Sequence, residues 1–181
     1  MNASIRNESP ISRVKYVNSN SILSDNVQNQ VFKKFIDFVE RMLLFYSLDS
    51  RGYEGFMNGS ESIAEGIVNS GKFKDFQEFL KENDIDYELY GCEVDGRKAI
   101  YCHFDNKDAD FFKIASTGTR SLALFYYWYI RMEKASFVFI DEFDAFYHYE
   151  LSESVQKRLR RITGVQVFTT THNTDLMSND L

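Results

Sequence analysis

The sequence predicts an α/β fold with a parallel βαβ core, preceded by helices and a β-hairpin. Two continuous runs of apolar or β-branched residues, "SFVFI" at 136–140 and "VQVFTTT" at 165–171, are typical of buried strands. Between these runs, apolar residues recur at helical spacing: Leu151, Val155, Leu159 and Ile162. A strand, a helix and a strand in that order form a parallel unit, so the carboxyl ends of both strands meet at one edge of the sheet.

The chain before this core is predicted to begin with a polar lead-in over residues 1–24, which includes a short strand at Val14–Val17. A long helix follows, because apolar residues recur at spacings of three and four. These residues are Val27, Val31, Phe35, Val39, Met42 and Tyr46. Asp25 and Gln28, three residues apart, resemble a capping box at the start of this helix.

Two shorter helices are predicted after the glycine-rich stretch "RGYEGFMNGS" at 51–60, and they complete a helical segment over residues 25–84. Ser62 and Glu65 have the spacing of a second capping box, which places the start of the first short helix. The apolar face of the next helix contains Phe73, Phe76 and Leu80. The remaining residues, 85–181, are predicted to form the hairpin and the core.

The hairpin is predicted around Asp95-Gly96, a dipeptide favoured in two-residue turns between strands. Pairing Val94 with Arg97 places alternating apolar side chains on one face of the hairpin. These side chains belong to Ile85, Tyr87, Leu89, Ile100, Cys102 and Phe104. Cys92 then lies on the opposite face from Cys102, so this register excludes a disulfide bond between the two.

A buried helix is predicted after a charged loop, "DNKDAD" at 105–110. The stretch "TRSLALFYYWYIRM" at 119–132 is apolar on nearly every side, which is typical of a helix enclosed by other elements. Its aromatic residues at 125–129 are interpreted as part of the core, in preference to a platform for stacking nucleic-acid bases.

Composition and charge exclude several classes of protein. Hydrophobic residues make up 44% of the chain, with 17 Phe and 11 Tyr, which predicts a folded core. The net charge of -6 argues against a surface that coats nucleic acid, and the basic "KRLRR" at 157–161 fits the C-terminal end of a helix. No apolar run approaches the length of about 18–20 residues that crosses a bilayer. With two cysteines and a polar start, the chain is expected in the cytoplasm.

Three segments of the last third carry residues suited to phosphate chemistry. Asp141 and Glu142 end the strand "FVFIDEFD", where an aspartate can hold magnesium and a glutamate can accept a proton from water. Ser116 and the backbone amides around Gly118 open a helix, where an anion can bind. His172 follows the next strand and can donate a hydrogen bond to a γ-phosphate. All three segments are predicted to lie at the edge where parallel sheets bind ligands.

The ordered set S-T-G-T-R, a buried helix, an apolar strand with D-E-x-D, a helix and T-T-H-N resembles the C-terminal lobe of ABC-type ATPases. The similarity is greatest to the subgroup that includes chromosome-maintenance and DNA-repair ATPases, and within it to the AAA-labelled ATPases of abortive-infection and anti-phage systems. The resemblance covers the chain from about residue 70 onward. It implies a partial P-loop NTPase fold.

The resemblance assigns roles to individual residues. Three residues match the signature loop that contacts the γ-phosphate of ATP held by the opposite subunit: Ser116, Gly118 and Thr119. Asp141 matches the magnesium-binding Walker B aspartate, and Glu142 matches the catalytic glutamate. Asp144 matches the acidic residue of the D-loop, and His172 matches the switch histidine. This sequence departs from the family pattern in its "STGT" signature and at Tyr149, where relatives commonly have proline.

A complete enzyme of this kind also needs the phosphate-binding loop G-x-x-x-x-G-K-[ST] between a strand and a helix. "GIVNSGKF" at 66–73 has the required glycines and lysine, but Phe73 replaces the Ser or Thr that would bind magnesium. The residues before it predict a helix, and Gly71 suits the end of a helix. The segment is therefore interpreted as a coincidental match, and the phosphate-binding loop is expected in an N-terminal lobe outside this chain.

Two other functions remain open. A helicase-type ATPase fragment fits "DEFD", although "TTTHN" does not fit the S-A-T segment of that class. A regulatory lobe without catalytic activity could bind a partner through the signature surface, although Asp141 and Glu142 are both present. A zinc site is not expected, and His103 and His148 are interpreted as ordinary residues.

The resemblance implies ATP and Mg²⁺ as ligands and a head-to-tail homodimer as the working form. Such an assembly would drive a nuclease or another effector in phage defence or DNA metabolism, with DNA contacted through the assembly and no membrane involved. The chain alone is expected to be inactive, because it lacks the residues that grip the phosphates.

Overall fold

The computed structural model describes residues 24–46, 53–55, 61–105, 107–145, 147 and 149–177. The predicted strand at Val14–Val17, most of the glycine-rich stretch at 51–60 and His148 lie outside the described residues. The chain divides into two compact units, Met1–Glu40 and Arg41–Leu181.

The described helices are α1 (Val27–Glu40), α2 (Ile63–Asn69), α3 (Phe73–Lys81), α4 (Phe111–Ile114), α5 (Thr117–Met132) and α6 (Tyr149–Leu159). The described strands are β1 (Met42–Tyr46), β2 (Tyr53–Gly55), β3 (Glu88–Val94), β4 (Arg97–Phe104), β5 (Lys107–Asp110), β6 (Phe137–Asp141) and β7 (Gln166–Thr169). A short 3-10 helix at Thr174–Met177 follows β7.

Helix α1 belongs to the first unit and is capped by Asn26, whose Oδ1 accepts a hydrogen bond from the Asn29 N–H at 2.8 Å. The predicted capping box of Asp25 and Gln28 is therefore wrong. The Asp25 carboxylate instead accepts a hydrogen bond from the Gln30 side chain at 2.8 Å. The predicted helical spacing is correct as far as the end of α1.

The prediction that this helix continues to Tyr46 is wrong, because the residues from Met42 onward form β1. Strand β1 pairs in parallel with β6, with Met42 opposite Phe137 and Tyr46 opposite Asp141. The run "MLLFY" is apolar at every position, which suits a strand covered on both faces. Pairing with a distant strand therefore overrides the helical spacing, and β1 and β2 interrupt the predicted helical segment.

The predicted parallel βαβ unit and the α/β fold class are confirmed. Within the described residues, one sheet has the strand order β2-β1-β6-β7, in which β6 pairs in parallel with both β1 and β7. Strand β2 pairs antiparallel with β1 at the edge. Helix α6 connects β6 to β7. The carboxyl ends of β1, β6 and β7 consequently lie at one edge.

The predicted hairpin is confirmed, including its register. Val94 lies opposite Arg97, and the turn residues Asp95 and Gly96 have φ angles of 51° and 77°, as a tight hairpin turn requires. Both cysteines are free, as the register predicted, and burial raises the pKa of Cys102 to about 11. The predicted charged loop is corrected, because Lys107–Asp110 form β5, which pairs antiparallel with β4.

Helix α5 forms the centre of the core, as its apolar sequence predicts. All five aromatic residues at 125–129 are buried, and Tyr126 is fully inaccessible. Its ring lies 5.1 Å from that of Phe76 and 5.6 Å from that of Phe79, both on α3. The aromatic residues therefore join α5 to α3, as the core interpretation predicted.

Candidate functional site

The two acidic residues of the "FVFIDEFD" segment lie at the exposed end of a buried strand. Val138 and Ile140 of β6 are buried, whereas Asp141 and Glu142 reach the surface. Glu142 follows the strand with a φ angle of 48°, in the left-handed region that residues other than glycine seldom adopt. Such backbone strain is often found at functional sites.

The histidine that follows β7 reaches the glutamate that follows β6. His172 Nε2 lies 2.9 Å from Glu142 Oε1, so an N–H at this position donates to the carboxylate. The His172 side chain is 88% exposed, whereas that of Glu142 is 27% exposed. The structure therefore brings together two predicted site residues that are 30 positions apart in the sequence.

Two threonines before His172 hold the other carboxylates. The Thr170 hydroxyl donates to Asp141 Oδ1 at 2.7 Å, and the Thr171 hydroxyl donates to Asp144 Oδ2 at 2.7 Å. No role was predicted for these threonines. The run of threonines directly before His172 was the available signal, but it does not reveal which residues they contact.

The predicted signature loop forms the start of α5. Ser116 caps this helix, since its Oγ accepts a hydrogen bond from the Thr119 N–H at 3.1 Å and lies 2.9 Å from the Thr119 hydroxyl. A Cβ added to Gly118 would meet only Ser116 Oγ at 3.9 Å and Leu151 Cδ1 at 4.0 Å, which are ordinary contacts. The fold of the chain itself therefore does not require glycine at this position.

The predicted site residues form two groups, the signature loop at the start of α5 and the carboxylates after β6. Within the described residues, no hydrogen bond joins Ser116, Gly118 or Thr119 to the carboxylates after β6. One nearby link is the Tyr147 hydroxyl, which donates to the Ser121 carbonyl at 3.3 Å and so connects the segment after β6 to α5.

The donor set after β6 fits magnesium shared with a phosphate ligand. One oxygen of Asp141 accepts from Thr170 and one oxygen of Glu142 faces His172, which leaves the second oxygen of each outside these contacts. Magnesium in nucleotide sites is typically bound by one or two carboxylates, with water and phosphate oxygens completing its shell. In the described part of the chain, no three His, Cys, Asp or Glu residues could hold a metal by themselves.

The near match to a phosphate-binding loop is a helix, a turn and a helix. Gly66 lies in α2, where an added Cβ would overlap the ring of Tyr127 on α5. Gly71 has a φ angle of 73° in the turn that follows. Lys72 Nζ lies 2.8 Å from both carboxylate oxygens of Glu133. The predicted helix before this segment and the predicted capping box of Ser62 and Glu65 are confirmed.

These features define an α/β domain like a lobe of the P-loop NTPases, with a mainly parallel sheet and an antiparallel hairpin sheet. Residues 12–178 match a protein family whose description reads "AAA domain" and names the AbiEii toxin and the type IV TA system. The chain belongs to this family of AAA domains, a class of nucleotide-binding ATPase domains. A search of curated proteins gave no match. Among the described helices, none has the length and apolar character to cross a membrane.

Proposed function

We propose that this chain carries the catalytic half of a site that hydrolyses ATP with Mg²⁺. The proposal depends on one observation, the convergence of Asp141, Glu142 and His172 at the ends of two neighbouring parallel strands. His172 Nε2 lies 2.9 Å from Glu142 Oε1, and Thr170 joins Asp141 to the same group. Membership of a family of AAA domains supports a nucleotide as the ligand.

Each residue of this group has a separate chemical task. Glu142 accepts a hydrogen bond from the attacking water and orients it toward the terminal phosphate. Asp141 binds magnesium directly or through water, and the metal, when bound, offsets the negative charge that develops on the phosphoryl group. His172 donates a hydrogen bond to the γ-phosphate, so that its contact with Glu142 is exchanged for a contact with the nucleotide.

The site is composite in this proposal. The segment "GIVNSGKF" is a helix, a turn and a helix, and its lysine pairs with Glu133, so we assign the phosphate-binding loop to a separate N-terminal lobe. Ser116, Gly118 and Thr119 contact the γ-phosphate of ATP held by the partner in a head-to-tail homodimer. Asp144 is the acidic residue of the D-loop in this proposal. Its carboxylate accepts a hydrogen bond from Thr171, the residue directly before the switch histidine. The chain alone binds ATP weakly or not at all.

The output of hydrolysis is a change in the arrangement of the two subunits. Such a change drives a nuclease or another effector in phage defence or DNA metabolism, and DNA is contacted through the whole assembly. The family description, which names the AbiEii toxin and the type IV TA system, supports the defence role over general DNA metabolism.

The test measures phosphate release from magnesium-ATP by a protein that contains this chain together with its phosphate-binding lobe. Asp141→Asn is expected to raise the magnesium concentration needed for half-maximal hydrolysis by about tenfold or more, because the loss of one carboxylate weakens magnesium binding at such a site. Asp86→Asn, a matched change at an exposed residue paired only loosely with Lys81 at 3.6 Å, is expected to have no effect. Equal magnesium dependence of the two variants would contradict the proposal.

A further inference from the structure

Thr170 contacts each of the four residues from Ile140 to Phe143, which include Asp141 and Glu142. Its N–H donates to the Ile140 carbonyl at 3.0 Å, and its own carbonyl accepts from the Phe143 N–H at 3.1 Å. Its hydroxyl donates to Asp141 Oδ1 at 2.7 Å and accepts from the Glu142 N–H at 2.7 Å. One residue after β7 therefore binds four consecutive residues, from Ile140 to Phe143.

The hydroxyl bonds have a fixed direction. A threonine hydroxyl has a single proton, and an ionised carboxylate can only accept, so the proton points to Asp141. A lone pair of the same oxygen then receives the Glu142 N–H. The orientation of the Asp141 carboxylate and the position of the Glu142 peptide are consequently set by the same oxygen atom.

The Glu142 backbone needs such support. Its φ angle of 48° lies in the left-handed region, which is unfavourable for a residue with a Cβ. In this conformation, the N–H groups of Glu142 and Phe143 both point to Thr170, one to the hydroxyl and one to the carbonyl. The carbonyl contact is available to any residue at position 170, whereas the hydroxyl contact requires Thr or Ser.

We propose that Thr170 is a positioning residue for ATP hydrolysis, whose hydroxyl orients the Asp141 carboxylate and holds the strained Glu142 turn in its working conformation. This inference rests on the proposed function of Asp141 and Glu142. The neighbouring threonine, Thr171, has a different task, because its hydroxyl binds Asp144. Thr169 lies in β7 opposite Ile140, and its hydroxyl takes no part in the contacts with the turn.

The first experiment measures amide hydrogen exchange in the chain itself, which does not depend on catalysis. Thr170→Val keeps the branched shape but removes the hydroxyl, so the Glu142 amide is expected to exchange about tenfold faster, as the loss of one such hydrogen bond implies. The Phe143 amide, which is bonded to the carbonyl, should change much less. Thr170→Ser should restore the exchange of Glu142, and Thr169→Val should leave both amides unchanged. Unaltered exchange of Glu142 in Thr170→Val, or no rescue by Thr170→Ser, would overturn the inference.

The second experiment measures hydrolysis in the assembly that contains the phosphate-binding lobe. Thr170→Val is expected to lower kcat by about 10–100-fold, the size of effect that a small misplacement of catalytic groups produces, while ATP affinity stays within about twofold. Thr170→Ser should keep most of the kcat, and unfolding midpoints show whether both variants are as stably folded as the natural protein. Glu142→Gln separates the two claims. If Glu142→Gln abolishes hydrolysis while Thr170→Val retains the normal kcat, the positioning role is wrong and the proposed function stands. If Glu142→Gln itself retains hydrolysis, the proposed catalytic role of Glu142 is wrong, and so is the positioning role of Thr170.

Discussion

Arg158, a buried residue of α6, forms an ion pair with the partly exposed Asp75 of α3, directly against the aromatic core. The Arg158 side chain is 6% exposed, and its guanidinium lies 5.2 Å from the centre of the Tyr129 ring on α5. The same carboxylate accepts a hydrogen bond from the Tyr126 hydroxyl at 2.6 Å. This pair therefore joins the helix after the candidate catalytic strand to two other helices of the core.

Replacing Arg158 is expected to destabilise the chain more than replacing another arginine of the same helix end. Arg158→Met should lower the free energy of unfolding by about 2 kcal/mol, because Asp75 loses a buried partner but remains partly exposed. Arg161→Met is the matched control, since Arg161 is 56% exposed and lies 3.8 Å from Glu82, and should cost about 0.5 kcal/mol or less. Urea unfolding measures the free energy of unfolding of both variants. Equal losses of stability would show that the Arg158–Asp75 pair contributes no more than a surface pair.

Asp75 is expected to make the stability of the chain depend on acid pH. Burial by itself would raise the pKa of Asp75, but hydrogen bonds from Arg158 and Tyr126, together with the positive charges of Arg158 and Lys72, lower the pKa below its usual value. The stabilisation that ionised Asp75 provides is therefore fully present above its pKa in the unfolded chain, which is about 3.9. It is lost as the pH falls through the pKa of Asp75 in the folded chain. Asp75→Asn should be less stable than the natural chain at pH 7, and this difference should shrink below about pH 4. A difference in unfolding midpoint that is the same at pH 7 and pH 3 would contradict this explanation.

Lys72 is expected to have no part in nucleotide binding. Both its partner Glu133 and Lys72 itself are about half exposed, so Lys72→Ala should cost only about 0.5 kcal/mol of stability. In the assembly that contains the phosphate-binding lobe, Lys72→Ala should leave ATP affinity and kcat within about twofold. Lys81→Ala, at another exposed lysine, serves as the control. A selective loss of ATP binding in Lys72→Ala would identify "GIVNSGKF" as a working phosphate-binding loop.

Two inactive variants are expected to restore activity when they are mixed, if the site is shared between subunits. Gly118→Asp should fold normally, since the space around Gly118 admits a side chain, but its charge should repel the γ-phosphate held by the partner. Glu142→Gln keeps the signature loop intact and lacks the catalytic carboxylate. Half of the randomly formed dimers then contain one intact site, which predicts about a quarter of the natural rate of phosphate release. A mixture as inactive as either variant alone would exclude a site shared in this way.

The sequence predicts the elements whose cause is local. The hairpin follows from Asp95-Gly96, because this dipeptide adopts the two positive φ angles that the turn requires. Helix α5 follows from its continuous apolar sequence, and α2 from the reciprocal contacts of Ser62 and Glu65. The positions of Asp141 and His172 at one edge follow from the order of strand, helix and strand, which favours a parallel unit of this kind.

The remaining features depend on partners that are distant in the sequence. Strand β1 has the spacing of a helix and becomes a strand because β6, some hundred residues later, pairs with it. Strand β5 has a polar sequence and forms because β4 offers a free edge. The contacts of Thr170 could not be predicted from the sequence either, since a threonine in a β-branched run is ordinary, and only the register of β6 and β7 places its hydroxyl between Asp141 and Glu142.

The most direct test of the proposed function is the hydrolysis of ATP by Glu142→Gln, in the assembly that contains the phosphate-binding lobe. The change keeps the size of the side chain and removes the carboxylate that faces His172 at 2.9 Å. Phosphate release should fall by about 100-fold or more while ATP binding, measured by calorimetry, is retained, since loss of a general base affects the chemical step. Glu150→Gln, in the first turn of α6, is the control and should hydrolyse ATP at the natural rate. Unchanged hydrolysis by Glu142→Gln would contradict the proposed catalytic role of Glu142.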